Sequence, residues 1–413
     1  MRNFVRNKYV LIWLANMLFA AIPFLLVPFL SHHMSKEDFG TLSLIESSIQ
    51  VLIPLMVFGS DGYLSTSFLN LEEEGRKRLV TACLFLTILS SMLVIVALTI
   101  LKFLFLSEAT LSSQNFYIFI GICFLQSVSA VAGARLIISG ESHQYLLFRV
   151  APALLGAILS CTIIVLWTPM LIARLLGLLA AGVLAVLLVI RVFSFERIKL
   201  QDLKPALKSA VTFGAGVVVH SWAGIVFFSI DRLLLGTFAS RSDLAMYTVA
   251  LQLGLIMSVL QSSFSQIWSP YVFRTLSERS LSASLMRMEF YAVGGILLAG
   301  FIVALAVKPY FWLFVPKDYQ SAAGLSYLII GGYTALGIYK VFVPYIYFEK
   351  RTKLLATITV SLCAINGVVS FSCIKLFGVT GAGVGTLISG VVFAGVVYLS
   401  ARNMPCRKRA FIC

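Results

Sequence analysis

The sequence predicts an all-α integral membrane protein with about twelve transmembrane helices, arranged as two six-helix bundles related by a pseudo-two-fold repeat. Three observations support this prediction. The chain is 60% hydrophobic and only 12% charged, apolar runs of about 20 residues recur along its whole length, and one half of the sequence matches the other. Ordinary globular domains contain roughly 25% charged residues, so one soluble core could not bury this excess of apolar side chains.

The predicted membrane helices follow one another with short connections. The first begins directly after Arg2, Arg6 and Lys8, and it is longer than the apolar part of a signal peptide, so we interpret it as a retained helix. The expected spans are 9–30, 39–60, 79–101, 115–137, 149–168, 171–191, 209–230, 244–266, 287–307, 323–343, 354–374 and 379–400.

An internal match at an offset of 205 residues favours a duplicated architecture. It aligns Phe29 to Leu44 with Leu234 to Val249, and a second match at the same offset aligns Arg135 with Lys340. Two matches at one offset, near half the chain length, indicate two six-helix halves of the same orientation.

The two halves are joined by a segment in which apolar residues alternate with lysines and arginines. Such a segment suits either a helix lying on an anionic cytoplasmic leaflet or an ordinary basic linker. We therefore expect an N-terminal bundle at 1–191, a cytoplasmic linker at 192–208 and a C-terminal bundle with a short basic tail at 209–413.

The net charge of +15 reflects membrane topology rather than nucleic-acid binding, because basic residues fall at helix ends and not in tracts interleaved with aromatics. With a cytoplasmic N-terminus, 24 of the 32 lysines and arginines face inward, so the positive-inside rule predicts a multi-pass protein with both termini in the cytoplasm. The seven cysteines show no C-x-x-C spacing, and no Walker motif is present. Neither a metal site nor ATP hydrolysis is expected.

Three motifs carry a resemblance to a known family. They are "SKEDFGTLSL" at Ser35 to Leu44, "DRLLLG" at Asp231 to Gly236 followed by "SDLAMYTVALQLG" at Ser242 to Gly254, and the G-x-x-G-A-G-x-G run at Gly378 to Gly385. With them, the chain resembles over essentially its whole length the Wzx-type flippases and other polysaccharide export proteins of the MOP (multidrug, oligosaccharidyl-lipid, polysaccharide) superfamily. The resemblance implies a MATE-like fold of two six-helix bundles around a central cavity.

The resemblance also implies a function without covalent chemistry, so the chain is not expected to be an enzyme. The expected task is to flip an undecaprenyl-diphosphate-linked oligosaccharide, such as an O-antigen repeat unit, from the cytoplasmic to the periplasmic leaflet of a bacterial inner membrane by alternating access. Expected partners are membrane lipids, a polysaccharide polymerase and a chain-length regulator. No nucleic acid and no cofactor are expected, and H+ or Na+ would be the coupling ion.

Other functions make different demands on the sequence. A cation-coupled multidrug exporter of the same superfamily is the alternative; it would rely on acidic residues, whereas the membrane-embedded charges here are mostly basic. A lipid II flippase typically has fourteen helices, and a membrane-embedded polymerase a large periplasmic loop. A purely structural membrane scaffold is a further alternative.

Basic residues inside apolar runs are candidate contacts for an anionic head group. Arg135 and Lys340 lie about one turn inside the cytoplasmic ends of the predicted fourth and tenth helices. Facing a cavity, the arginine would offer a diphosphate a bidentate fork and the lysine a point charge. Facing lipid, both would extend to the membrane surface instead.

Asp231 and Arg232 are further candidates for substrate binding. If the predicted seventh helix extends to Leu235, both lie inside the membrane, where ionisable residues usually face a cavity. If it ends at Ile230, they are outer-surface residues. The glutamines at Gln50 and Gln252 complete the candidate substrate-binding set; in sequence they lie on polar stripes with Ser43 and Glu46, and with Thr248.

Two residues are candidates for binding a coupling ion. Glu46 lies about two turns inside the second predicted helix and could pair with a cation, take up a proton or serve as a hydrogen-bonded contact between helices. His220 lies in the middle of an apolar helix, where it could titrate near neutral pH or hydrogen-bond to a neighbouring helix. His32 and His33 lack the further ligand spacing of a metal site.

Overall fold

The computed structural model describes residues 2–105, 112–167, 170–192, 200–277 and 282–407, and within these ranges the chain forms helices and turns without a β-strand. Two short 3-10 helices lie at Phe68–Asn70 and Lys317–Ala322. The α-helices are α1 Arg2–His33, α2 Lys36–Val57, α3 Ser60–Ser67, α4 Glu73–Phe105, α5 Ser113–Ile138, α6 Ser142–Leu166, α7 Met170–Val192, α8 Leu200–Phe238, α9 Arg241–Ser277, α10 Ser282–Leu305, α11 Val307–Phe314, α12 Ala323–Phe348 and α13 Thr352–Arg402.

The predicted all-α membrane fold is confirmed. Eleven helical stretches of the described residues are long and apolar enough to cross a membrane. The last, α13, would be about 75 Å long at 1.5 Å per residue, more than twice the thickness of the hydrocarbon layer. Gly378 interrupts it with a φ of 59°, so α13 makes two crossings and the described chain makes twelve.

Nine of the twelve predicted spans fall inside a single helix, while 39–60, 149–168 and 287–307 extend two or three residues past the ends of α2, α6 and α10. Several helices also continue well beyond the apolar window. α8 runs over Leu200–Phe238 where the sequence predicts 209–230, and α9 continues to Ser277. Polar residues are compatible with a helix outside the hydrocarbon layer, so hydropathy alone underestimates helix length. Residues 200–208 of the predicted linker form the start of α8, and residues 193–199 lie outside the described residues.

The chain divides into two compact units whose boundaries lie within helices. The N-terminal unit contains residues up to Met34 and those from Ile45 to Ile225; the C-terminal unit contains Ser35 to Leu44 and the residues from Val226 onward. α2 and α8 each contribute to both units, whereas the sequence predicts a separation at the linker.

Packing at the start of α2 explains why Ser35 to Leu44 belongs to the C-terminal unit. A Cβ atom at Gly40 would lie 1.9 Å from the backbone oxygen of Arg241, so only glycine allows this contact. Farther along, the hydroxyl groups of Ser43 and Thr248 lie 2.6 Å apart, and these two residues are 205 positions apart in the chain. The two segments that match in sequence therefore pack directly against each other.

A buried ion pair fixes the last described residues of the C-terminal unit. Arg407 lies 2.8 Å from the Glu289 carboxylate, to which the Tyr345 hydroxyl also donates. The backbone N–H of Cys406 donates to Glu349 at 2.7 Å. Burial, followed by the hydrogen bond to Glu349 and the charge of that carboxylate, raises the pKa of the Cys406 thiol to about 12, so this thiol stays protonated.

Candidate cation and anion sites

Asp231 lies at the centre of a polar cluster in the C-terminal unit. Because α8 continues to Phe238, Asp231 is inside the helix, and it is 6% exposed. Three hydroxyl groups donate to its carboxylate: Ser370 at 2.6 Å, Thr386 at 2.8 Å and Tyr247 at 3.0 Å. These hydrogen bonds offset part of the cost of burying a carboxylate.

The cluster contains more acceptor oxygens than hydroxyl protons. The Ser370 hydroxyl lies near Asp231 and also 3.1 Å from the amide oxygen of Asn366, while the Thr386 hydroxyl also lies 2.9 Å from the backbone oxygen of Ala382. Each hydroxyl has one proton to donate, so it cannot serve both acceptors at once. The cluster therefore offers several oxygens that could coordinate a cation.

A run of glycines brings these oxygens together. After the bend at Gly378, a Cβ atom at Gly381 would lie 1.9 Å from the backbone oxygen of Cys373, and one at Gly385 would lie 2.9 Å from the Ser370 hydroxyl oxygen. The two segments of α13 therefore meet with their backbones in contact. The glycine motif that carries the family resemblance is the reason that Ser370 can face the second segment.

The ligand chemistry favours a proton or a hard monovalent cation. Hard cations prefer oxygen ligands, and the cluster offers one carboxylate, an amide oxygen and hydroxyl groups. No group of three or more His, Cys, Asp or Glu side chains suited to a metal ion occurs in the described part of the chain.

Arg232 follows Asp231 on α8 but its guanidinium group takes a different direction. One terminal nitrogen lies 3.5 Å from the backbone oxygen of Phe228 and 3.5 Å from the Ser229 hydroxyl, both on the preceding turn of the same helix. Successive residues on a helix point about 100° apart, as the sequence predicts for this pair. The positive charge of Arg232 therefore lies beside the Asp231 cluster and not within it.

The N-terminal unit contains a different arrangement, an ion pair between α2 and α7. Two nitrogens of Arg174 lie 3.0 Å and 3.3 Å from one oxygen of Glu46, and a third lies 3.5 Å from the Ser160 hydroxyl. The Arg174 side chain is 9% exposed and that of Glu46 37%. Sequence reasoning missed Arg174 as the partner of Glu46, because the two residues are 128 positions apart along the chain.

Arg135 and Lys340, the pair predicted to bind substrate, have different surroundings. Arg135 forms an ion pair with Glu141 at 2.8 Å across the turn between α5 and α6. The Lys340 ammonium donates to the Ser262 hydroxyl at 3.2 Å. Their positions match in sequence but these partners differ, a carboxylate for Arg135 and a hydroxyl group for Lys340. Their role in binding substrate stays a prediction.

The remaining predicted residues are spread over both units. Gln50 is exposed on α2 in the N-terminal unit, and Gln252 is buried on α9 in the C-terminal unit. Ser43 binds Thr248, so the predicted stripe on α2 contains one residue from the C-terminal unit and two from the N-terminal unit. His220 is half-buried on α8, and its Nδ1 atom has no hydrogen-bond partner among the described residues.

The fold is similar to that of known transporters. A multidrug resistance MATE family transporter of the MOP superfamily, in an inward-facing conformation, aligns with a TM-score of 0.72 and 13% identity over 94% of this chain and 95% of the other. The lipid II flippase MurJ, in an inward closed conformation, aligns with a TM-score of 0.69 and 15% identity over 98% and 91%. At these identities the likeness establishes the fold, which is the MATE-like one that the sequence predicts.

Two relatives from Haemophilus influenzae share 22% of aligned residues. One is an uncharacterized membrane protein, matched over 92% of this chain and 88% of its own length. The other, "Lsg locus putative protein 1", is matched over 63% of this chain and 64% of its own. The model of the family described as "Polysaccharide biosynthesis protein" matches residues 5–276. The chain therefore belongs to the polysaccharide biosynthesis protein family.

Proposed function

We propose that the protein flips an undecaprenyl-diphosphate-linked oligosaccharide, such as an O-antigen repeat unit, from the cytoplasmic to the periplasmic leaflet of a bacterial inner membrane. Transport would proceed by alternating access, with both termini in the cytoplasm. Membership of the polysaccharide biosynthesis protein family is the observation that carries the proposal. A polymerase and a chain-length regulator are the proposed protein partners.

Charges within the membrane-spanning helices suit such a substrate. Lys340 and Arg232 lie in α12 and α8, within stretches that are long and apolar enough to cross a membrane. Moving unpaired charge into hydrocarbon costs several kcal/mol, so intramembrane cations usually serve an anionic ligand or a polar cavity. A diphosphate head group is an anion of the required kind.

We assign the coupling ion to the Asp231 cluster and not to Glu46. Asp231 is buried among hydroxyl and amide oxygens that exceed the available protons, as binding of H+ or Na+ requires. Glu46 is already paired with Arg174, which keeps its charge under all physiological conditions. We therefore interpret Glu46 as a structural residue.

A cation-coupled multidrug exporter is the second candidate function. The MATE likeness favours it as much as the MurJ likeness favours a flippase. The Asp231 cluster would serve either function, so it does not discriminate between them.

Deleting the gene separates the two functions. For a flippase, lipid-linked oligosaccharide should accumulate on the cytoplasmic leaflet and surface polysaccharide should be lost, while glycosyltransferase activity in membranes persists. For an exporter, surface polysaccharide should be normal and the cells should become sensitive to cationic compounds. Normal polysaccharide in a strain without any related gene would refute the proposed flippase function.

A further inference from the structure

Arg149, the first residue of the predicted span 149–168, is an arginine whose surroundings differ from those of the paired arginines. It lies on α6 about 10 Å from the first residue of that helix, at 1.5 Å per residue. Its guanidinium carbon lies 3.6 Å from the centre of the Phe19 ring on α1. Its Nε atom is buried without a hydrogen-bond partner, and no carboxylate of the described residues pairs with it.

Other arginines of the described residues show what a satisfied site looks like here. Arg135 and Arg174 each lie 2.8 to 3.0 Å from a glutamate. Arg407 combines an ion pair at 2.8 Å with aromatic rings around its guanidinium group. Arg149 has the aromatic ring but not the anion. The arrangement matches that of Arg407 with its acidic partner removed.

A hydrogen-bonded pair, Tyr145 and Asn16, lies on the same faces of α6 and α1 as the contact between Arg149 and Phe19. Tyr145, one turn before Arg149, donates its hydroxyl proton to the amide oxygen of Asn16 at 2.8 Å, and Asn16 lies one turn before Phe19. This bond uses one of the two lone pairs of the carboxamide oxygen and none of the N–H donors of the NH2 group. Asn16 is exposed on the surface of the unit. The groups left available at this place are donors, which select an anion.

Stacking on Phe19 also prepares the guanidinium group for one kind of ligand. A ring beneath the plane stabilises the cation but uses none of its N–H groups. The terminal N–H groups lie in the plane and match the spacing of two phosphate oxygens, which an ammonium group cannot do. Arginine is therefore better suited than lysine to this place.

We propose that Arg149 and Asn16, with Phe19 as the supporting ring, bind the phosphate group of a lipid. The phosphate belongs either to an anionic phospholipid of the bilayer or to the polyprenyl phosphate chemistry of the transported lipid. Only the second source rests on the proposed function. The site lies within the N-terminal unit, in α1 and α6.

Lipid binding to the purified full-length protein in detergent tests this inference without a transport assay. The probes are dioleoylphosphatidylglycerol, undecaprenyl phosphate and, as a lipid without phosphate, dioleoylglycerol, each measured by native mass spectrometry. We expect the two phosphate lipids, or one of them, to bind about tenfold more weakly to Arg149→Gln than to the unchanged protein. Arg149→Lys should bind with intermediate affinity because it keeps the charge and loses the fork.

Two further variants keep the test decisive. Arg78→Gln removes an exposed arginine that is paired with Glu74 and belongs to no candidate site, so it should bind phosphate lipids as the unchanged protein does. Phe19→Leu keeps both polar residues and removes the stack, so it should weaken binding even if Arg149→Gln does not fold.

Preference for undecaprenyl phosphate identifies the transported lipid as the source of the phosphate, and equal or stronger binding of phosphatidylglycerol identifies the bilayer as its source. Unchanged binding in Arg149→Gln and Phe19→Leu, or equal binding of dioleoylglycerol, would overturn the proposal.

Discussion

The two units each contain an acidic residue inside a membrane-spanning helix, and they stabilise it in different ways. In the N-terminal unit, Glu46 is held by Arg174, whose charge is permanent. In the C-terminal unit, Asp231 receives hydrogen bonds from three neutral hydroxyl groups. An arginine partner fixes the charge of a carboxylate, whereas hydroxyl oxygens can also coordinate a cation or accommodate a proton. The first arrangement is suited to stability and the second to exchange of an ion.

The duplicated sequence shows how this difference arose. At the offset of 205, Glu46 corresponds to Leu251 and Arg174 to Val379, so the C-terminal unit lacks the ion pair. The members of the Asp231 cluster correspond to residues without oxygen in their side chains: Leu26 for Asp231, Leu42 for Tyr247, Cys161 for Asn366, Val165 for Ser370 and Ala181 for Thr386. Each unit therefore has a polar arrangement of its own on a similar helical framework.

We expect the largest effect on transport from a substitution of Asp231. Asp231→Asn keeps the size of the side chain and removes the negative charge, so export should fall roughly 10- to 100-fold while the protein remains in the membrane. Restoration of surface polysaccharide in a deletion strain, normalised to protein abundance, measures this. Asp318→Asn changes an exposed aspartate of the same unit and should leave export unchanged. Full export by Asp231→Asn would show that the cluster is structural, like the ion pair.

The ion pair should affect stability more than transport. Arg174→Gln leaves Glu46 without its partner and should lower the free energy of unfolding by about 1–3 kcal/mol, the upper end being limited by the exposure of Glu46. The double variant Arg174→Gln with Glu46→Gln should recover part of that loss. Unfolding in detergent measures both. Arg78→Gln, which breaks an exposed pair with Glu74, should cost less than about 0.5 kcal/mol. A transport defect in Arg174→Gln at normal stability would contradict the structural role.

The smallest effect concerns a single hydroxyl of the cluster. Tyr247→Phe removes one of three hydrogen bonds to Asp231 and should weaken apparent affinity for the coupling ion by about fivefold, which corresponds to about 1 kcal/mol. Export measured over a range of Na+ concentrations and of pH would show the half-saturating value shift for one ion and not the other. Tyr327→Phe, at an exposed tyrosine of the same unit, is the matched control. Identical values for Tyr247→Phe and the unchanged protein would exclude this hydroxyl from the ion site.

The sequence predicts the framework well because membrane helices are defined by local hydropathy. Nine of the twelve predicted spans fall inside a single helix, and the spans at 354–374 and 379–400 separate at the bend of α13. The partners of charged residues could not be predicted in the same way. Arg174 and Glu46 are 128 residues apart, and Arg407 and Glu289 are 118 apart. Such pairs depend on which helix faces meet, and a period of 3.6 residues does not specify the neighbour.

The Asp231 cluster could be predicted from the sequence only in part. A family motif marks Asp231, and the glycine run from Gly378 marks the close approach of the two segments of α13. Neither motif indicates Asn366 or Ser370, which lie on an apolar helix without a distinctive pattern. Small polar residues are common in membrane helices as simple contacts, so their sequence context carries little information until the structure places them beside a carboxylate.

The bend at Gly378 has a consequence for how the chain enters the membrane. The two crossings of α13 are joined by this single residue, flanked by Phe377 and Val379, and no polar loop separates them. A Cβ atom there would meet no other atom within 4 Å, so a larger residue would be opposed only by the backbone conformation, with φ 59° and ψ −136°, at a cost of about 1–3 kcal/mol. Without a hydrophilic connection to leave on the far side, the last two crossings should insert together as a helical hairpin during biosynthesis.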